Sequence, residues 1–391
     1  MFSENEITND FHFKEFLQNR NLKPNSIINY TQALKNYSTY TGLTPTELIE
    51  QAEQEEEKRI RMKNRQIKKY LLGFIQHQKN QGKSANTIIN HITKVKTFYR
   101  GFEIELPHIR CNIQKEQELI TIKDIPTKDD IKKALKYANL KYKAIILLMM
   151  SSGMGSAEMR NLSIKDYIDA HKITNFDLRD KDQLVSLLRK KENEVPTWSI
   201  RRIKTGMPYV TFSSPESCKA INDYIEDRVI EYPYENENDY LFESNGHQIH
   251  PRVNAVYFSR LNDSVGFGKY GNQRFFRSHN LRKFFASTLK NNGFDNLDAE
   301  WLIGHKVKMV TDAYIKPDIY RLKKDYLDVL PFLSLEEIEK RTVESDDYKK
   351  LKEQYDKESK ARDEEIKKLT EQNKLTMKLV EDLIKDMKSN E

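Results

Sequence analysis

The stretch Ser278-His279-Asn280-Leu281-Arg282-Lys283-Phe284-Phe285-Ala286 decides how this chain is read. Helical structure is expected from near His279 to about Tyr326, and on a helix His279 and Arg282, three residues apart, share one face. A lone His-x-x-Arg pair is usually a surface feature, so its meaning depends on its company. Leu302-Ile303-Gly304-His305 follows, and then Tyr314.

Working back towards the N-terminus, Trp198-Ser199-Ile200-Arg201-Arg202-Ile203-Lys204-Thr205-Gly206 and Tyr209-Val210-Thr211-Phe212 place strand formers on both sides of a turn at Thr205-Gly206. A β-hairpin carrying Lys204 near its tip is expected. Pro215-Glu216 opens a helix through Tyr224. Thr127-Lys128-Asp129-Asp130 fits a helix N-cap with an acid three residues on, and helices are expected at about 128–138 and 142–152.

The first hundred residues read as helical. Asn25-Ser26-Ile27-Ile28-Asn29-Tyr30 and Asn86-Thr87-Ile88-Ile89-Asn90-His91 echo each other. A hydroxyl residue in each can cap a helix, and apolar residues then recur at helical spacing: Ile27, Tyr30, Leu34 and Tyr37, and again Ile88, Ile92, Val95 and Tyr99. From Lys58 to Arg100 there are twelve Lys and Arg and no Asp or Glu. Such a run repels itself unless a polyanion lies against it, and a phosphate backbone is the commonest such partner. Lys58, Arg59, Arg61, Lys63, Arg65, Lys68, Lys69, Lys83, Lys94 and Lys96 are therefore the candidate DNA-binding residues; a solvated basic face is the bland alternative. The apolar residues between them are too sparse for a membrane anchor.

A length of 391 residues predicts two or three domains. The expected boundaries are a helical domain at 1–106, a linker at 107–126, a second domain at 127–334 and a charged helical tail at 335–391. In that tail 17 acids mix with 14 bases. Ile366, Leu369, Asn373, Thr376, Val380, Leu383 and Met387 alternate by three and four there, as in a short coiled-coil seam; a lone helix would read the same way. The longest apolar run, Ala144 to Met150, is seven residues, against the ~20 needed to span a bilayer. Met1 to Asp10 carries three acids and no base, unlike a signal peptide, so a cytoplasmic, nucleoid-associated protein is expected. Two cysteines, Cys111 and Cys218, make neither a disulfide framework nor a four-cysteine zinc site. The net charge of +7 matters less than its uneven distribution.

The ordered set from Ser152-Gly153-Met154, Glu158 and Leu162, through Lys204-Thr205, to Ser278–Ala286, Leu302–His305 and Tyr314 resembles the tyrosine recombinase (phage integrase) family over roughly Lys128 to Leu333. Its flavour looks most like integrases of archaea. The resemblance implies a mainly α fold with a small β-sheet or hairpin in the catalytic domain, an upstream helical DNA clamp, double-stranded DNA as partner and a tetramer on DNA. It also implies strand cleavage and rejoining through a covalent 3′-phosphotyrosine, without metal or cofactor. Tyr314 would be the nucleophile, Lys204 the general acid, Arg282 and His279 phosphate ligands, and His305 a further one. Tyr320 and Tyr326 follow, but only Tyr314 lies nine residues after His305, as the family spacing expects.

The residue types suit that chemistry. A phenolate attacking phosphorus keeps the bond energy in an ester that a free hydroxyl can later reverse. Guanidinium forks match two phosphate oxygens and hold their charge, whereas a lysine can give up a proton to the leaving 5′ oxygen. One position departs: the family's first catalytic arginine falls at Gly155. Arg160 lies five residues on, about 140° around an ideal helix, and is the candidate replacement, with a structural role at the helix surface as the alternative; Arg201 and Arg202 on the hairpin are weaker substitutes. Loss of one such donor typically slows a reaction ~10²- to 10³-fold. Gly155 thus keeps open a recombinase-derived DNA-binding protein with weak or no cleavage. A scaffold acting through the tail and a metal-dependent nuclease are further alternatives.

Overall fold

The computed structural model describes residues 2–109, 124–271, 273–305 and 318–336. The chain divides into two compact units, Met1–Ile120 and Thr121–Glu391. Cys111, Tyr314 and the heptad positions from Ile366 to Met387 lie outside the described residues.

The first unit is built from α1 (Glu4–Asn9), α2 (Phe11–Arg20), α3 (Pro24–Thr41), α4 (Pro45–Glu57), α5 (Gln66–Asn80) and α6 (Ala85–Arg100). Local chemistry sets the boundaries. Ser3 with Glu6 and Thr44 with Glu47 form capping boxes, and Pro45 takes the first turn, where its missing N–H costs nothing. The two echoing segments are the N-terminal turns of α3 and α6, but their hydroxyls are not the caps. Alpha3 starts at Lys23-Pro24 with no side-chain cap, and α6 is capped by Ser84, which accepts from the Thr87 N–H. Each helix begins a few residues early because proline and Ser84 start it better. Alpha3 packs on α6, joined by edge-to-face Tyr37 and Tyr99 whose hydroxyls meet at 3.4 Å. Phe13, Phe16, Phe74 and Phe98 fill the core beside them.

The second unit begins with α7 (Lys128–Tyr137), capped by a Thr127–Asp130 box, and α8 (Leu140–Ser152). Short α9 (Ser156–Asn161), α10 (Ile164–Ala170) and α11 (Lys181–Lys190) follow. Strands β1 (Thr197–Arg201) and β2 (Pro208–Phe212) form the expected antiparallel hairpin, with Arg201 opposite Pro208 and Thr197 opposite Phe212. Next come α12 (Pro215–Glu231), β3 (Glu243–Ser244), β4 (His247–Gln248), α13 (Pro251–Val265), β5 (Lys269–Tyr270) and β6 (Gln273–Arg274). The described part closes with α14 (Ser278–Asn291), α15 (Asn296–Leu302) and α16 (Ile319–Leu333). The fold is mainly α with small antiparallel strand pairs.

Alpha8 is the axis of this unit: α12, α14 and α16 pack on it, and nearly every residue from Tyr142 to Ser152 is buried. Burying its Ile, Leu and Met side chains contributes roughly 1.5–3 kcal/mol each. Among the described residues no helix is long and apolar enough to cross a membrane, and no three His, Cys, Asp or Glu converge as a metal site. Cys218 is a buried thiol that burial pushes up to about 12.

Candidate active site

The last carbonyls of a helix have no partner within it, and α8 ends inside the protein, so other elements must answer them. Tyr326 of α16 donates to the Ser151 carbonyl at 2.8 Å, Thr211 of β2 to that of Ser152 at 2.7 Å, and Arg282 of α14 to that of Gly153 at 2.7 Å. Three segments remote in sequence are thus gathered at one helix end. Gly153 makes the exit possible: its φ is +66°, and a Cβ there would lie 2.2 Å from the Phe285 ring.

Alpha15 ends the same way. Gly304, at φ +64°, turns the chain so that the His305 N–H reaches the Glu300 carbonyl at 2.9 Å, and the Tyr209 ring lies where a Gly304 Cβ would be. The carbonyl of Ile303, which the turn leaves without a helical partner, accepts from the second arm of Arg282. Arg282, only 6% exposed, therefore sits between the negative dipole ends of two helices. Burial lowers its pKa first, and the neighbouring Arg202 charge lowers it further.

His279 stands one turn before Arg282 at the surface. Desolvation, then the Lys283, Arg277 and Arg282 charges, hold its pKa below the usual imidazole value, so its neutral form dominates at pH 7. His305 is exposed, with Nδ1 2.5 Å from Glu300 Oε2. Glu300 also accepts from Lys290; burial alone would raise its pKa, but Lys290 and His305 overcome this and lower it. Glu300 went unread in the sequence, because it meets His305 only through the left-handed turn at Gly304.

Lys204 lies in the exposed turn between β1 and β2. Arg160 is not brought to the carbonyls that hold Arg282. Its Nη1 donates to the Ile249 carbonyl at 3.1 Å, and burial lowers its pKa. Arg202, from the hairpin, donates instead to the Ile303 carbonyl at 2.9 Å. Tyr326 is fully buried and burial raises its pKa well above the ordinary phenol value, which removes it as a nucleophile; Tyr320 is half exposed in the first turn of α16.

In the first unit Lys58, Arg59, Arg61, Lys63, Lys69 and Lys83 are exposed, and Lys68, Lys94 and Lys96 are partly buried. Lys94 donates to Asn90 and sits over the Tyr30 ring. Arg65 is engaged locally, with Glu56 at 2.5 Å and the Ile60 carbonyl at 3.0 Å. The acid-free run therefore borrows carboxylates from the end of α4, where Glu55 also accepts from the Gln66 N–H.

Comparison with known proteins adds to this geometry. The family described as "Phage integrase family" matches residues 125–320. A "Probable integrase/recombinase" of Acholeplasma phage L2 is 25% identical over 262 residues, 64% of this chain and 75% of that one. A "Tyrosine recombinase XerC" of Rickettsia africae (strain ESF-5) is 21% identical over 331 residues, 81% of this chain and 94% of that one. Among solved structures, the Tn1549 transposon integrase in complex with circular intermediate DNA has a TM-score of 0.51 at 15% identity, covering 82% of this chain and 98% of that one. A lambda integrase dimer bound to a core site has 0.50 at 14%, covering 85% and 96%. The two structures bear on the fold alone. An archaeal flavour finds no support in these relatives, which come from a phage of Acholeplasma and from Rickettsia.

Proposed function

Because this chain belongs to the phage integrase family, and is a site-specific DNA recombinase that cleaves and rejoins strands, we propose that Tyr314 is its nucleophile and that Arg282, His279, His305 and Lys204 form the site around the scissile phosphate. The observation that carries this reading is the buried Arg282 guanidinium, oriented by the Gly153 and Ile303 carbonyls and, among the described residues, in no ion pair with a carboxylate. A guanidinium has five N–H donors in a plane, and two carbonyls leave donors for two phosphate oxygens.

In the forward step Tyr314 gives its phenol proton to the neutral His279 imidazole as its oxygen bonds to phosphorus, the bond from phosphorus to the 5′ oxygen breaks, and the Lys204 ammonium gives that oxygen its proton. In the reverse step an incoming 5′ hydroxyl displaces Tyr314, its proton returning to Lys204 and that of His279 to the phenolate. Arg282 stabilises the added charge of the phosphorane-like transition state. His305, whose Nδ1–H is held by Glu300, donates from Nε2 to the phosphate in its imidazolium form, and His279, once it holds the Tyr314 proton, donates to a phosphate oxygen as the charge grows. The partner is double-stranded DNA, and the active form is a tetramer on two duplexes. The chain acts at the nucleoid, in the cytoplasm.

A duplex nicked just downstream of the cleavage point loses its short fragment and traps the adduct. With such duplexes carrying a randomised core, the wild-type chain should capture a subset covalently, in EDTA as in magnesium. Tyr314→Phe should capture none while binding the same DNA. Gly155 favours a second reading, a DNA-binding protein derived from a recombinase; wild type that binds the pool and yields no adduct would establish it.

A further inference from the structure

The Ile303 carbonyl accepts from two guanidinium groups, Nη2 of Arg282 and Nη1 of Arg202. Two like charges on one oxygen repel each other. Among the described residues neither makes an ion pair with a carboxylate. The nearest acid, Glu158, is engaged on the turn: its Oε1 accepts from the Ile203 N–H at 3.3 Å, and its Oε2 fills the space that a side chain at Gly155 would enter, 2.3 Å from the Cβ position. An arrangement with two guanidiniums and one carboxylate has a positive charge in excess, and the group that answers paired planar forks is a phosphodiester.

We propose that Arg202 supplies the second guanidinium of the phosphate clamp, the role that the glycine at position 155 cannot fill. This rests on the recombinase reading above. The hairpin explains why Arg202 serves and Arg201 does not. Neighbouring strand residues point to opposite faces, and Arg201 turns outward to the Gly206 carbonyl while Arg202 turns in. The backbone of Arg202 closes the turn, its N–H on the Met207 carbonyl and its own carbonyl accepting from the Gly206 N–H, both at 2.7 Å. Beta2 packs on α15, which carries the tip of the hairpin to the Ile303 carbonyl. Arg160 does not share that carbonyl, being on Ile249.

The test uses the full-length chain and the randomised nicked duplexes. Arg202→Ala should bind the pool but form adduct ~10²- to 10³-fold more slowly. Arg202→Lys should recover part of the rate. Adding Gly155→Arg to Arg202→Ala should restore about tenfold or more, since the Cβ position at Gly155 lies 4.0 Å from Arg282 Nη1 and the Glu158 carboxylate end has to move aside to admit the side chain. The slope of log affinity against log salt should fall by ~0.9 in Arg202→Ala, the change expected when one fewer phosphate is neutralised. A wild-type adduct rate in folded Arg202→Ala, or a defect that neither second change relieves, overturns the proposal. If wild type forms no adduct, the Tyr314 reading fails, and an unchanged salt slope in Arg202→Ala then overturns this one separately.

Discussion

Arg282 and His171 show two ways of burying a titratable side chain. Arg282 is answered by carbonyls, which orient its fork and leave its charge for an incoming anion. His171, at the end of α10, is 4% exposed with neither ring nitrogen partnered, its ring edge-on to Tyr167. Burial, then Lys191 and Lys323, lower its pKa to about 4 from 6.5. Between those values the unfolded chain binds a proton that the folded chain does not, so stability rises with pH. The contribution is complete above about pH 6.5 and is lost as pH falls towards 4, in all about 3 kcal/mol. His171→Phe keeps the ring against Tyr167 and should remove this share of the pH dependence in urea unfolding; a variant as acid-sensitive as wild type would refute the assignment. At this scale order and spacing singled out His279, Arg282 and His305, and the structure places His279 one turn before Arg282. Arg202 was not ranked above Arg160, because its partner lies 101 residues away.

The helices were legible where they were long and amphipathic, as in α3 and α6. Alpha9, α10 and α11 hold too little periodicity to read, α7 of similar length was read from its Thr127 cap, and the longer α13 (Pro251–Val265) also went unread. Glycines at the ends of elements matter more than the elements' lengths. Gly153→Ala places a Cβ in the left-handed region and into the Phe285 ring, and should cost roughly 2–4 kcal/mol and abolish strand cleavage, because the displaced carbonyl is the one that aims Arg282. Gly155→Ala, at an ordinary φ of −76°, should cost under about 1 kcal/mol. Thermal melting of the pair checks this; equal destabilisation would mean that the α8 exit does not depend on the left-handed turn.

Over the whole chain, the acid-free basic run lies within the first of the two units. Arg61, Lys63 and Lys69 are exposed in the first and engage no carboxylate among the described residues. Replacing all three with Gln should weaken duplex binding evenly across sequences and reduce the salt slope by ~0.9 for each phosphate no longer neutralised. An unchanged slope would leave this face outside the DNA interface. Arg65, paired with Glu56, should contribute to stability more than to that slope.

Sequence by itself determined the family, the mainly helical fold and the hairpin, because residue type and spacing along one element are local properties. Only the tertiary structure decided which arginine stands beside Arg282 and which carboxylate holds His305. Those choices depend on where the ends of α8 and α15 leave unanswered carbonyls, and on how the chain turns at Gly153 and Gly304 to place distant side chains against them.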